Sequence, residues 1–368
     1  MRILFALPGL HKYDRGAEVA LNSLATELAI GGDDVTIIGS GNAQASRPYR
    51  YLRAPAVSRE KFEHFPALPV FRSETVYEEA SFMPALFLRY HPGDFDITVT
   101  CSYPFTNWAL RRPSLRGPRP PHVFITQNGD WPAHSQKSEY RFFGCDGLVC
   151  TNPDYFERNH LRWPSALIPN GIDVNRFQPK AAERRKFGLP EDRSVILMVS
   201  ALISSKRVAD GILAVSKLPG AHLVVAGDGP LRDDIRRLAD DLLPGRFTNL
   251  TVSGHEMPLL YHSANVFLHL SKEESFGNVF IEAMACGLPI VGHDTPRIRW
   301  IVGNDEYLTD TADLAAVASK LAEAQSDTFA QKQARLALSA EFSWSKVAHA
   351  YRMFFQDVID KKRASAQL

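Results

Sequence analysis

The chain has 368 residues, 45% hydrophobic and 23% charged, which is a globular composition at a length that usually exceeds one hydrophobic core, so two domains are expected. Formal net charge is +1, and residues 1–170 carry 18 basic against 17 acidic side chains, which excludes the electrostatic footprint of a nucleic-acid binder. No apolar run approaches ~18 residues, and Cys101, Cys145, Cys150 and Cys286 form neither a Cys-x-x-Cys pair nor a zinc-spaced cluster; this excludes a membrane-spanning helix and a structural zinc, and fits reduced thiols in the cytoplasm.

Residues 2–8 read as a fully buried strand rather than a secretory leader, and a loop follows from Gly9 to Gly16. A helix is predicted from near Ala17, with Val19, Leu21, Leu24, Leu28 and Ile30 as its apolar residues. Further buried strands are predicted at 35–39, 97–101, 123–126 and 148–151, and their alternation with helical patterns predicts a parallel sheet wrapped by helices. Between 50 and 95, Pro55, Pro66, Pro69, Pro84 and Pro92 break periodic elements, so loops and short helices are expected. The turn signal of Ile168-Pro169-Asn170-Gly171-Ile172-Asp173, closed by Phe177-Gln178-Pro179, sets a domain boundary between 1–169 and 170–344. A second strand series, at 195–200, 223–226, 250–253, 266–270 and 288–292, predicts a second parallel sheet. Trp344 to Asp360 has a helical pattern with Val347, Tyr351, Phe354, Phe355 and Val358 on its apolar side.

Open parallel sheets bind ligands beyond the carboxyl ends of their strands, so chemistry is sought in the loops there. Gly16 opens a helix after the first strand and leaves backbone N–H groups facing an anion. Lys206 and Arg207 follow the strand ending at Ser200, where two cations suit a diphosphate. Gly227-Asp228-Gly229-Pro230 follows another strand, a position equally suited to a tight turn. Glu274 and Glu282 stand eight positions apart around Ser275, Phe276 and Gly277: loop N–H groups for phosphate or sugar oxygens, and a helix carboxylate for two adjacent ribose hydroxyls. Asp94-Phe95-Asp96 precedes a strand instead of following one, so it reads as a strand-start cap and no metal site is expected.

The ordered set Ile168 to Asp173 with Phe177 and Pro179, Ala226 to Pro230, and Glu274 to Ala285 followed by Cys286-Gly287-Leu288-Pro289 resembles the family 4 glycosyltransferases of the GT-B fold, over nearly the whole chain. The resemblance implies two Rossmann-like parallel-sheet domains facing across a cleft: an acceptor domain, 1–169 with a final helix of about 345–368 packing back on it, and a nucleotide-sugar donor domain, 170–344. It implies donor contacts from Gly16, Lys206, Arg207, Gly227, Ser275, Phe276, Gly277 and Glu282, with Glu274 facing the donor sugar. Two departures stand out. Ser200-Ala201-Leu202 replaces the family's Gly-Arg-Leu, with Arg207 as the candidate replacement charge, and Gln127-Asn128-Gly129-Asp130 stands where a His is common. Gln127 and Asn128 are taken as acceptor contacts and Asp130 as a catalytic candidate beside Glu274, Lys206 and Arg207.

The function this implies is retaining transfer of a sugar, in the manner of a hexosyltransferase, from a nucleoside-diphosphate sugar to a sugar, lipid-linked or small-molecule acceptor in glycan, glycolipid or glycoside biosynthesis. No cofactor and no obligatory metal are expected. The alternatives are a nucleotide-sugar epimerase or hydrolase on the same fold, and a catalytically silent sugar-nucleotide binding protein. A dinucleotide-dependent dehydrogenase ranks last, because neither half has Gly-x-Gly-x-x-Gly between a strand and a helix. Trp108, Arg111, Arg112, Arg116 and Arg119 form a basic stretch compatible with weak peripheral membrane contact at the inner face, with a solvated loop as the plainer reading.

Overall fold

The computed structural model describes residues 1–366 apart from 69, 114–117, 273 and 305, which puts Pro69 and Arg116 outside the described residues. Two units divide the chain: Met1–Gly171 with Trp344–Leu368, and Ile172–Ser343.

In the first unit β1 (Arg2–Ala6), β2 (Asp34–Gly39), β3 (Arg50–Arg53), β4 (Ile97–Thr100), β5 (His122–Ile125), β6 (Gly147–Cys150) and β7 (Ser165–Leu167) form one parallel sheet in the order β3-β2-β1-β4-β5-β6-β7. Its helices are α1 (Gly16–Ile30), α2 (Glu74–Arg89), α3 (Phe105–Leu110), α4 (Trp131–His134) and α5 (Pro153–Asn159). The second unit has β8 (Val195–Val199), β9 (His222–Ala226), β10 (Phe247–Leu250), β11 (Val266–His269), β12 (Ile290–His293) and β13 (Tyr307–Thr309), parallel in the order β10-β9-β8-β11-β12-β13. Around them stand α6 (Val208–Ser216), α7 (Arg232–Leu242), α8 (Met257–His262), α9 (Asn278–Ala285), α10 (Pro296–Val302), α11 (Leu314–Ala324) and α12 (Phe329–Glu341). The chain then returns to the first unit as α13 (Trp344–Ala366).

Successive strand residues point to opposite faces, and helices cover both, so the central strands are mainly apolar, and buried polar residues such as Thr98 and Thr100 of β4 are hydrogen-bonded to His122 and to the Ala6 carbonyl. Ile3 and Phe5 of β1 pack with Leu21, Leu24 and Leu28 of α1, while Leu4 and Ala6 pack with Phe82 and Leu86 of α2 and Leu110 of α3. Val347, Tyr351, Phe355 and Val358 of α13 complete the α1 side of that core. Val195 and Leu197 of β8 pack with Phe280, Ile281 and Met284 of α9; Ile196 and Met198 pack with Ile212 of α6 and Leu321 of α11.

Three local expectations are corrected. The stretch from 50 to 95 contains β3 and a 16-residue helix, α2, that runs through Pro84. Fully buried Phe82 and Leu86 supply packing that outweighs the hydrogen bond Pro84 cannot donate. The strand expected at 250–253 is β10, three residues earlier, a half-buried edge strand with no continuous apolar run to mark it. Val19 and Ile30 lie on the exposed side of α1. Among the described residues no helix is long and apolar enough to cross a membrane, and all four cysteines are free thiols.

Candidate active site

In the second unit β8 lies between β9 and β11, so the chain leaves β8 to one side and later returns on the other. Such a switch point opens a crevice beyond the carboxyl ends of the two strands, where open α/β sheets bind ligands. The loop after β8 carries Lys206 and the loop after β11 carries Glu274. Lys206 Nζ donates to Glu274 Oε1, tying the two loops together across the crevice. His269, the last residue of β11, places Nε2 3.0 Å from the same oxygen. Burial pushes the Glu274 carboxyl up, but hydrogen bonds and charge from His269 and Lys206 outweigh it and hold the pKa at about 2, so Glu274 is a carboxylate at neutral pH. Arg297, in the first turn of α10, donates through Nη1 to the Glu274 carbonyl.

From Glu274 the chain passes Ser275 and Phe276 to Gly277, which caps α9 at φ +91, a conformation that Gly adopts without strain. A Cβ there would stand 2.8 Å from the Phe280 ring. Phe276 is 2% exposed, its ring near those of Trp300 and Phe342, so its side chain anchors the loop and only its backbone can meet a ligand. Glu282 lies one turn further along α9, where Tyr261 donates to its Oε2 at 2.8 Å. Burial pushes the Glu282 carboxyl up to about 7, against the lowering influence of Tyr261 and the Arg176 charge. Gly227, after β9, has another use: a Cβ there would stand 1.9 Å from the Ser200 carbonyl oxygen. Only glycine lets the loops after β8 and β9 touch.

The structure does not bring every candidate into this site. Arg207 was the expected second cation, but its Nε donates to Asp210 at 2.6 Å, Nη1 to the Thr311 hydroxyl at 2.8 Å and to the Leu270 carbonyl at 3.3 Å, and Nη2 to the Thr311 carbonyl at 2.8 Å. Its guanidinium is committed to holding the β11 and β13 loops together. Asp130 is corrected likewise. At 1% exposure it accepts from Arg158 at 2.8 and 3.1 Å and from Asn159 at 2.8 Å, so it anchors α5 and has no free edge for a sugar. Gln127 and Asn170 exchange amide hydrogen bonds at 2.5 and 3.1 Å, while Asn128 is exposed.

Gly16 is exposed at the start of α1, beyond the carboxyl end of β1, the switch strand of the first unit. In the described part of the basic stretch, Arg111 donates to Phe142 and Asn107, Arg112 to Tyr90, and Arg119 to Asp146. Asp96 stands at the amino end of β4, accepting from the Arg2 backbone and guanidinium, both at 2.8 Å. Among the described residues no group of three or more His, Cys, Asp or Glu is arranged to hold a metal ion. His269 and Arg297 were missed by sequence reasoning, although His269 ends a buried strand at its ligand-facing edge.

Comparison with known proteins agrees with this architecture. The lipopolysaccharide core biosynthesis glycosyltransferase LpsE of Rhizobium meliloti (strain 1021) is 28% identical over 254 residues, 66% of this chain and 73% of that one. Other curated relatives match over about a quarter to a half of their own length. Sucrose-phosphate synthase from Thermosynechococcus elongatus superimposes with a TM-score of 0.77 at 21% identity, covering 98% of this chain and 99% of that one. Anabaena HepE in complex with UDP and glucose gives 0.70 at 17%, covering 97% and 99%. At such identity these likenesses speak for the fold, two Rossmann-like units of the GT-B kind. Two family descriptions match in tandem, Glycosyltransferase Family 4 over residues 15–176 and Glycosyl transferases group 1 over residues 179–341. With the fold, the paired switch-point loops and both halves matched in order, the chain belongs to the family 4, group 1 glycosyltransferases.

Proposed function

We propose that this glycosyltransferase is a retaining, metal-independent hexosyltransferase: its second unit holds a nucleoside-diphosphate sugar, and its first unit takes a hydroxyl acceptor of glycan, glycolipid or glycoside biosynthesis. The observation that carries the reading is the Lys206–Glu274 pair at the β8/β11 switch point, a cation and a carboxylate beside the glycine that opens α9. The UDP and glucose held by Anabaena HepE support a nucleotide-sugar donor, and the role named for LpsE supports a glycan acceptor. Asp94 and Asp96, the pair with metal-motif spacing, stand away from the ligand edge with Asp96 engaged by Arg2, which supports a diphosphate neutralised by protein cations. Four free thiols support a reducing, cytoplasmic compartment.

In this reaction the bond from sugar C1 to the diphosphate oxygen breaks, and the acceptor oxygen bonds to C1 on the same face. The acceptor's proton passes to the departing phosphate. Lys206 and the N–H groups leading into α9 meet the charge that develops on the leaving group. Glu274 accepts hydrogen bonds from the sugar, and Glu282 from the ribose diol. A thermal-shift panel of UDP, GDP, dTDP and ADP, with and without chelator, tests donor and metal together, since a ligand that binds only the native state raises the melting temperature. One nucleotide stabilising equally with chelator supports the reading. None stabilising overturns it, and so does a product whose anomeric coupling constant reports inversion.

Glu282 adds a pH dependence. Below pH 7 its carboxyl is protonated in the free protein, whereas a ribose diol donating two hydrogen bonds requires the carboxylate. Donor binding then releases a proton, so nucleotide affinity is expected to rise by up to about tenfold per pH unit toward pH 7 and to level off above it. Glu282→Gln should flatten the profile. A wild-type affinity that is constant between pH 5 and 7 contradicts the ribose assignment.

A further inference from the structure

The loop after β5 leans toward the crevice of the first unit. β5 pairs with β4 and β4 with β1, and the amide of exposed Asn128 reaches the sulfur of Cys101, just past β4, at 4.0 Å. Much of that loop is engaged internally: Gln127 pairs with Asn170, and Asp130 accepts from Arg158 and Asn159. Trp131, the next residue, is 61% exposed, while the other four tryptophans are at least partly buried. An indole carries one of the largest apolar surfaces of any side chain, and left in water it forfeits the stabilisation of burial. Among the described residues no hydrogen bond engages its Nε1–H. The side chain is nevertheless held in place. Gly129 has φ +102, and a Cβ there would stand 3.0 Å from Trp131 Cδ1 and 3.1 Å from Nε1, so glycine lets the backbone pass along the pyrrole edge. The His134 ring lies 5.5 Å from the indole, tilted by 38°, and its Nδ1 is 3.1 Å from the Asp130 carbonyl oxygen and 3.3 Å from the Asp130 carboxylate. Buried Asp130 thus fixes both the loop and the ring beside the indole, a rigid frame around a surface that stays open.

We infer that Trp131 is an acceptor-binding residue, the platform on which a sugar ring of the acceptor stacks; this rests on the transferase reading above. The C–H face of a pyranose is apolar, and its slightly positive hydrogens are drawn to the negative face of an indole. The hydroxyls project from the rim of the same ring, where the indole Nε1–H donates and the Asn128 amide both donates and accepts. An acyl chain would cover the indole too, but it would leave those polar groups without partners. The pairing of a flat apolar surface with polar groups at its edge therefore selects a saccharide, so the acceptor is a glycan or glycoside that presents a ring face to the β5 loop.

The test follows tryptophan fluorescence of the full chain, saturated with the nucleotide found in the thermal-shift panel, as methyl glycosides of glucose, galactose, mannose and N-acetylglucosamine are added. Sorbitol is the control, because it carries hydroxyls on an open chain with no ring face. At least one glycoside is expected to give a saturable change that sorbitol does not, and Trp131→Phe should abolish the change. With that glycoside as acceptor and the matching nucleotide sugar as donor, Trp131→Ala is expected to raise the acceptor KM on the order of tenfold and to hold nucleotide affinity within about twofold, as truncation of an aromatic anchor in one subsite does. Trp131→Phe and Trp131→Tyr should recover part of the loss, and they carry the test should Trp131→Ala not fold. The inference is overturned if no glycoside gives a saturable change, if sorbitol gives the same one, or if the alanine variant keeps the wild-type KM. An equal loss of nucleotide and acceptor affinity overturns it as well, since that would make Trp131 a support for the fold. If wild type binds no nucleotide, the transferase reading itself falls and this inference with it; if nucleotide binds and the glycosides leave the fluorescence unmoved, only this inference falls.

Discussion

Lys206→Ala is expected to lower transfer turnover by about 10²-fold or more while the protein stays folded, because one oriented positive charge is removed from a leaving group that gains charge as the glycosidic bond breaks. Lys206→Arg, which keeps the charge and changes its geometry, should fall between the two. Folding should be little affected: the Lys206 and Glu274 side chains are 23% and 19% exposed, and His269 remains 3.0 Å from the carboxylate when the lysine is gone. The ion pair also has a pH signature. The depressed Glu274 pKa contributes stability that is present above its unfolded value of about 4.5 and is lost as pH falls toward about 2. Without Lys206 that pKa moves up, so any stability gap between wild type and variant should be widest at neutral pH and close below pH 4. Single-turnover rates with the donor found in the nucleotide panel provide the measurement. Equal rates in the alanine variant would remove Lys206 from the chemistry.

Arg335→Met is expected to cost about 3–5 kcal/mol in urea unfolding, the usual result of taking one partner out of a buried ion pair. Arg335 lies at 3% exposure on α12 and donates to Glu306 at 2.5 Å, to Asp327 at 2.9 and 3.1 Å, and to the Gly287 carbonyl at 3.1 Å. The other Glu306 oxygen accepts from the Ile290 N–H at 2.7 Å. One guanidinium therefore ties α12 to the turn between α9 and β12 and to the residue that enters β13. Burial already pushes the Glu306 carboxyl up against the pull of Arg335, and removal of the arginine raises it further. A raised folded-state pKa favours folding only below the unfolded value, so the deficit of the variant should be larger at pH 8 than at pH 5. Adding Glu306→Gln and Asp327→Asn should recover most of the loss, since neutral groups no longer suffer burial without a counter-charge. If the single variant loses under 1 kcal/mol, the cluster is not a clamp.

What could be read from the sequence follows burial. Strands covered on both faces, such as β1, β6, β8, β9, β11 and β12, are mainly apolar and legible, and β4 and β5 remain legible through Ile97, Val99, Val123, Phe124 and Ile125 although Thr98, Thr100 and His122 interrupt them. The edge strands are not. Arg50-Tyr51-Leu52-Arg53 of β3 and Ser165-Ala166-Leu167 of β7 are short and half-buried, and take their identity from the neighbour they pair with. Helix α2 was hidden by Pro84, which reads as a breaker until Phe82 and Leu86 are seen packed beneath it. The site divides in the same way. Lys206 and Glu274 were found because strand ends locate the ligand edge, and they meet there. Asp130 and Arg207 stand in equivalent loops, but a charge facing a ligand and a charge facing a buried partner look alike in sequence. Their partners, Arg158 and Thr311, lie 28 and 104 residues away. Arg297 was passed over because nothing local ties α10 to Glu274.

The return of α13 to the first unit reverses the order in which the two units can finish on the ribosome. Residues 172–343 are continuous and are complete before residue 344 is made, whereas the first unit, begun earlier, must wait for Val347, Tyr351 and Phe355 to close its core. At roughly 5–20 residues per second the β1–α1 face stays open for tens of seconds, an apolar surface within reach of chaperones while the second unit folds beside it. A nonsense mutation near residue 344 would therefore spare the unit made last and ruin the one made first.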